Sequence, residues 1–315
     1  MVSSPIQNVI VIGASGNVGP SIVKALQSDA SFSLSILARQ SSSASYPSGV
    51  PVHRVDDSYP EKEVLNAFRG QDAVVCALSL QILLQQIKFI DLAVEAGVRW
   101  FIPAEFGANN AGHGHGEKIP PHDAKEAVHE HLVRMQSKGL SWTAIATGPF
   151  IDWGIANGFL GFDLQARRAK IYDTGDEIWT GTKVSTIGVA VARLLRKPDQ
   201  VKNQYIHIYS VRTSQNQILA ALEAVTAKVT EAATTTNSQS AWEVERVTME
   251  DEIARGRKMM EDGNRLGAVP LILSYFFRPG MGPDYSRDVE AANALLDLPT
   301  ERIEDIVGEV VTVKG

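Results

Sequence analysis

The stretch Val9-Ile10-Val11-Ile12-Gly13-Ala14-Ser15-Gly16-Asn17-Val18-Gly19 decides the fold. Four apolar, β-branched residues read as a buried strand. Three glycines follow, and a helical period of apolar residues (Val18, Ile22, Val23, Leu26) starts at once. Each glycine has a distinct task in such a turn. Gly13 permits the tight reversal, Gly16 lets a ligand's pyrophosphate approach the backbone, and Gly19 lets the helix pack close on the strand. The first helical turn offers unpaired N–H groups and a positive dipole end to an anion. Pro20 falls in that turn, where its missing N–H costs no helical bond. The expectation is a dinucleotide site made by Gly13, Ser15, Gly16, Asn17, Val18 and Gly19.

Outward from this segment, apolar strands alternate with helical periods. Strands are expected at 34–38, 50–55, 73–78, 99–102 and 142–146, with helices near 61–68 and 83–96. Strands that are apolar throughout and separated by helices imply a parallel sheet covered on both faces. The fold expected is α/β, a doubly wound Rossmann sheet with a smaller α/β subdomain on the substrate side. The first domain spans 1–150. Residues 151–315 form mainly the substrate-side subdomain, with 184–210 packing back on the first sheet. Beyond residue 150 the pattern loosens. Turns and short strands are expected over 163–181, helices over 185–195 and 214–227, a strand over 205–209, a loop over 230–240 and a short late helix over 290–296.

Composition bounds the function. The chain has 315 residues, 44% hydrophobic and 21% charged, enough apolar content for a substantial core. A net charge of −6 argues against nucleic acid as the main partner. The single cysteine, Cys76, excludes an internal disulfide framework and fits a reducing compartment. No apolar run reaches the roughly 20 residues of a membrane helix. The first strand starts within a few residues of Met1, leaving no room for a signal peptide. A cytoplasmic, membrane-free monomer or homodimer acting on a small molecule is expected.

Cofactor choice is read where the second strand ends, at Ala38-Arg39-Gln40-Ser41. No acidic residue stands there to take a ribose diol. Arg39 can neutralise a 2′-phosphate and the Ser41 hydroxyl can hydrogen-bond it, so NADP(H) is favoured over NAD(H). Ser79, after the fourth strand, falls at the carboxyl edge where a dinucleotide runs. None of the seven tyrosines is followed four residues later by lysine, so the usual Tyr-x-x-x-Lys acid of short-chain dehydrogenases is missing. Five of the seven histidines lie between His113 and His131, but without metal-ligand spacing or a cysteine partner, so no metal is expected. The glycine-histidine loop 112–116 reads instead as a mobile segment over the cofactor edge.

The segment Phe101-Ile102-Pro103-Ala104-Glu105-Phe106-Gly107 resembles the Phe-x-Pro-Ser-Glu-Phe-Gly signature of isoflavone-reductase-like proteins, which belong to the NmrA-like group of atypical short-chain dehydrogenases. The glycine pattern, Arg39, Gly148-Pro149-Phe150 and Gly282-Pro283-Asp284-Tyr285-Ser286 stand in matching order. Ile151-Asp152-Trp153-Gly154 is similar to fungal members. Ala104 departs from the serine of the plant enzymes, and the glycine-histidine loop is longer. The resemblance implies NADPH-dependent reduction of small aromatic or heteroaromatic metabolites, with a lysine shortly after the signature handling the proton. Lys125 matches that lysine, as a catalytic residue and cofactor contact. Periodicity places Lys125 at the edge of the stripe Ala124, Val128, Leu132 and Met135, on the flank of His122 and His129. Asp123 and His129 are the alternative proton carriers. The resemblance also puts Phe150 near the nicotinamide, and Phe150, Trp153, Phe276 and Phe277 are candidate substrate contacts. Two other functions remain open: a dinucleotide-binding regulator or redox sensor without turnover, and a non-redox enzyme, such as a cyclase, that uses the dinucleotide structurally.

Overall fold

The structure, a computed structural model, describes residues 4–109, 120–232, 241–281, 283–288 and 291–314. Its first six strands are β1 (Asn8–Ile12), β2 (Ser33–Arg39), β3 (Val52–Val55), β4 (Ala73–Cys76), β5 (Trp100–Ile102) and β6 (Ser141–Ala146). Six more are β7 (Phe162–Asp163), β8 (Arg168–Tyr172), β9 (Trp179–Gly181), β10 (Gln204–His207), β11 (Val211–Thr213) and β12 (Glu243–Val247). The first five helices are α1 (Gly19–Gln27), α2 (Glu61–Phe68), α3 (Gln85–Ala96), α4 (Pro120–Met135) and α5 (Ile151–Ala156). The others are α6 (Val184–Leu195), α7 (Gln215–Ala232), α8 (Met249–Glu261), α9 (Ala268–Phe277) and α10 (Ile303–Lys314).

The chain divides into two units. The first comprises residues 1–146, 184–207 and 294–298. Its sheet runs β3-β2-β1-β4-β5-β6-β10, every pairing parallel. One face packs on α2, α3 and α4 through Phe68, Phe89, Ile90, Val128 and Leu132. α1 and α6 pack together, and at Gly188 a Cβ would collide with the Ser21 backbone, so only glycine allows that approach. This is the doubly wound Rossmann arrangement. The order reverses between β1 and β4, and a parallel sheet carries its ligands at that point, outside the carboxyl ends of its strands.

At the opposite, amino edge, Asp72 anchors the start of β1. Its carboxylate accepts from the Gln7 and Asn8 backbone N–H groups at 2.9 and 2.8 Å. It also pairs with Arg99 at 2.8 Å. Burial pushes the Asp72 carboxyl up, but Arg99 and the two N–H groups outweigh it and hold the group below the ordinary range.

The second unit, residues 147–183, 208–293 and 299–315, contains a sheet β12-β8-β7 and an antiparallel pair β11-β9. α10 packs on both α5 and α7, and α8 packs on α9. Ser214 caps α7 reciprocally: its hydroxyl accepts from Gln217 N, and Gln217 Oε1 accepts from Ser214 N. Among the described residues no helix is long and apolar enough to cross a membrane.

Two expectations are corrected: α7 runs on to Ala232, into the segment expected as a loop, and the expected short late helix does not form. Residues 291–297 form a bridge and a turn, not a helix. Side chains take the backbone groups a helix would need. Lys197 Nζ donates to Leu295 O at 2.5 Å, and Arg193 Nη1 to Leu296 O at 2.9 Å. Glu290, residues 233–240 of the expected loop, the histidine loop 112–116 and Gly282 lie outside the described residues.

Candidate active site

The carboxyl edge of the seven-stranded sheet gathers the sequence candidates of the first unit. Gly13 sits at φ +79°, and a Cβ there would run into the Ala77 carbonyl beyond β4. A Cβ on Gly19 would meet the Gly13 and Ala14 backbone. Protein packing therefore demands both glycines. Gly16 differs. A Cβ there would meet only the Gly13 and Ala77 carbonyl oxygens, at 3.4 and 3.5 Å. Packing within the fold therefore does not by itself require Gly16 to lack a side chain. Ser15, Gly16 and Asn17 are exposed, whereas Val18 and Gly19 are buried. α1 starts with no side-chain cap bond and no acidic residue in its first turn. An uncapped helix start behind a bare glycine fits the pyrophosphate of a dinucleotide.

At the end of β2, Arg39 is exposed and close enough to act electrostatically on Asp57 and Tyr59. Ser41 is engaged by Asp57, which accepts from the Ser41 N–H at 3.0 Å and also from its hydroxyl. These two bonds hold the Asp57 carboxyl below the usual range. Asp57 has no sequence signature, because its partner lies sixteen residues earlier across a strand pair. Arg54 Nη1 donates to Ser42 O at 2.9 Å and steadies this loop. Ser79 is exposed and opens a 3-10 turn over Leu80–Ile82.

The loop after β5 holds the densest polar array. Gln86, 1% exposed, accepts from Ala104 N at 2.7 Å and donates to Leu83 O at 3.1 Å, fixing the start of the signature. Gly107 bridges to Ala146 at the end of β6. Glu105 is held between them, 1% exposed, with its carboxylate accepting from the Tyr205 hydroxyl at 2.8 Å. Lys125 of α4 is buried on the helix's inner face, 6% exposed, deeper than the edge position expected from periodicity. Its ammonium donates to the Glu105 backbone carbonyl. Burial pushes the Lys125 amine below the ordinary lysine range, and the Glu105 charge opposes that fall. His129, one turn later, lies edge-on to Trp142 at 4.9 Å and to Tyr205 at 5.9 Å between ring centres. Burial lowers its pKa, against the charges of Glu105, Glu130 and Glu126. Asp123 is exposed. Among the described residues, Lys125 is thus the buried lysine of this edge. Glu105 was legible only as part of the signature, and Tyr205 not at all.

The remaining candidates belong to the second unit. Phe150 is half-buried at the start of α5 and bridges to Thr182. Trp153 is half-buried against Phe159, ring centres 5.6 Å apart. Phe276 and Phe277 are each 2% exposed, and Phe277 stacks on Tyr172 at 5.2 Å, so both serve the core of this unit. A cleft of about 1200 Å³ in the same unit is lined by Phe159, Phe162, Tyr172, Trp242 and Leu273, with Arg167 and Lys170 at its wall.

Sheet order and the glycine turn define a Rossmann-type α/β protein, with a buried lysine at the same carboxyl edge of its sheet. The chain belongs to the NmrA-like family, whose family model matches residues 5–263. It is 38% identical over 306 residues to "Oxidoreductase aprR" of Aspergillus flavus, covering 96% of this chain and 98% of that one. With that relative across nearly its whole length, the chain is an oxidoreductase of this family. The fold is shared with AtPrR2 solved with NADP+ and (+)pinoresinol, at TM-score 0.75 and 17% identity over 98% of this chain and 100% of that one. It is shared also with isoflavone reductase, at TM-score 0.71 and 20% identity over 96% and 99%.

Proposed function

We propose that this protein is an NADPH-dependent reductase of flat, conjugated aromatic or heteroaromatic small molecules, with Lys125 as the proton donor. The observation that carries this reading is the Lys125 ammonium, buried at the carboxyl edge of the same sheet that presents the Gly13–Gly19 turn. The NADP+ and (+)pinoresinol in the AtPrR2 complex support the cofactor and substrate class.

Gly13, Ser15, Gly16, Asn17, Val18 and Gly19 would hold the pyrophosphate, with Ser79 on the adjoining strand end. Arg39 would take the 2′-phosphate. Ser41 would join it only by turning its hydroxyl away from Asp57. The bound dinucleotide supplies a hydride. The chain's own residues supply position and the proton. An ammonium has three N–H donors. One is given to the Glu105 carbonyl, which fixes the amine's direction. Another would be offered to a substrate oxygen or nitrogen next to the carbon that takes the hydride. A lysine pulled down from its ordinary range transfers that proton more readily near neutral pH.

The test is a panel of conjugated ketones, enones and imines incubated with NADPH. The reading predicts loss of reduced-nicotinamide absorbance in step with product, one for one. Product without NADPH oxidation would replace it with the non-redox alternative. NADPH binding without oxidation across the panel would favour a regulator.

A further inference from the structure

We propose that Glu105 is a positioning residue for Lys125, its carboxylate the buried counter-charge to that ammonium, and that Tyr205 holds Glu105 for this task. The inference rests on the proton-donor role proposed for Lys125 and adds the device that sustains it.

Glu105 presents two different groups to two different elements. Its backbone carbonyl accepts from Lys125 on α4, and its carboxylate accepts from the Tyr205 hydroxyl on β10. Glu105 and Lys125 are 1% and 6% exposed. Removing a carboxylate and an ammonium from water is costly, and an apolar pair of similar volume often stabilises a fold better. A fold that retains both, at the strand ends where ligands bind, keeps them for chemistry.

The division of labour follows from the two contacts. The main-chain carbonyl sets where the amine points, and no substitution at position 105 removes that oxygen. The side chain supplies negative charge, which favours the ammonium form against burial. Without it Lys125 would be a neutral amine over more of the physiological range and a poor acid. When a substrate has gained a hydride and the Lys125 proton, the amine must recover a proton from water, and the Glu105 charge favours that recovery. Among the described residues, the other groups facing this array are His129 on α4, with Glu126 and Glu130 acting on it, and His207 on β10, whose ring centre is 6.3 Å from that of Tyr205. Glu105→Gln keeps the size of the side chain and an acceptor for Tyr205 while deleting the charge. Tyr205→Phe keeps the ring against His129 and deletes the donor.

The experiment follows the Lys125 amine by NMR of the full-length protein labelled with ¹⁵N at lysine Nζ. The signal is assigned by its loss in Lys125→Met. The proposal predicts that Glu105→Gln lowers the Lys125 titration midpoint by about one to three pH units. The alkaline limb of kcat/KM should fall by the same amount, with KM for NADPH unchanged within about threefold. Tyr205→Phe should shift the midpoint the same way by less, and Glu105→Asp should restore part of it. An unmoved midpoint in folded Glu105→Gln would overturn the proposal. If that variant does not fold, an unmoved midpoint in folded Tyr205→Phe would do so. The titration needs no cofactor. A protein that binds no NADPH would refute the reductase reading and leave the Glu105 result standing.

Discussion

Gly16→Ala separates the ligand role proposed for Gly16 from the packing role of Gly13 and Gly19. At Gly16 the added methyl meets only two carbonyl oxygens, at 3.4 and 3.5 Å, and Gly16 is not among the positive-φ glycines. Replacing such a glycine by alanine restricts the unfolded chain and is neutral or stabilising, by about 0.4–1 kcal/mol. The melting temperature should therefore stay within about 4 °C of wild type. Binding should respond differently. A methyl between the backbone and a pyrophosphate removes about one hydrogen bond to a charged acceptor, about 1.5–3 kcal/mol. That is a rise of roughly 10- to 150-fold in the Kd for NADPH. Gly13→Ala is the contrast. Its left-handed φ of +79° costs about 1–2 kcal/mol for alanine. The collision with the Ala77 carbonyl adds to that, so the loss should be about 3 kcal/mol or more. Calorimetric NADPH titration and thermal melts of both variants decide the matter. Wild-type affinity in Gly16→Ala, or a stability loss matching Gly13→Ala, would refute the reasoning.

Other outcomes follow from the same geometry. Lys125→Met should lower kcat by about 10²- to 10⁴-fold while NADPH affinity stays within a few-fold, as steady-state kinetics and binding titrations would record. Burial lowers the pKa of Lys125, the proposed acid, so kcat/KM should fall as pH rises through a value below the ordinary lysine range; a profile flat to that range would count against its role. Arg39→Ala should weaken NADPH by about 10-fold or more and leave NADH nearly unchanged, read from the ratio of the two Kd values. Asp72→Asn should cost about 1–2 kcal/mol in denaturant melts at neutral pH. The Asp72 pKa is lower folded than unfolded, so its contribution is complete above the unfolded value, about 3.9, and is lost as pH falls through the folded one; the mutant's deficit should therefore vanish in acid.

What sequence discloses here is what local chemistry decides. The turn at Gly13–Gly19 and the helix Glu61–Phe68 depend on neighbours a few residues away, and both are legible. Over 243–277 and 303–314 the pattern assigns nothing, yet β12, α8, α9 and α10 form there. α9 reads as an apolar run interrupted by Pro270, but that proline falls in the first turn, where no helical N–H is needed. α10 carries the β-branched run Val310-Val311-Thr312-Val313, a poor helix former that packing on α5 and α7 overrides. The site divides in the same way. Lys125 is found by a motif, but its depth is set by the α4 register. Tyr205 reaches Glu105 across one hundred residues, a pairing created only when β10 joins the sheet beside β6. The engagement of Ser41 by Asp57 likewise exists only once β3 lies beside β2.

The central claim is that a buried amine and a bound nicotinamide share one reacting space. A crystal structure of the NADP+ complex measures it, as the distance from Lys125 Nζ to nicotinamide C4. The account predicts a separation within about 8 Å, room for one substrate group and a hydrogen bond or one bridging water. A larger distance, or an ammonium turned away from the ring, would contradict it.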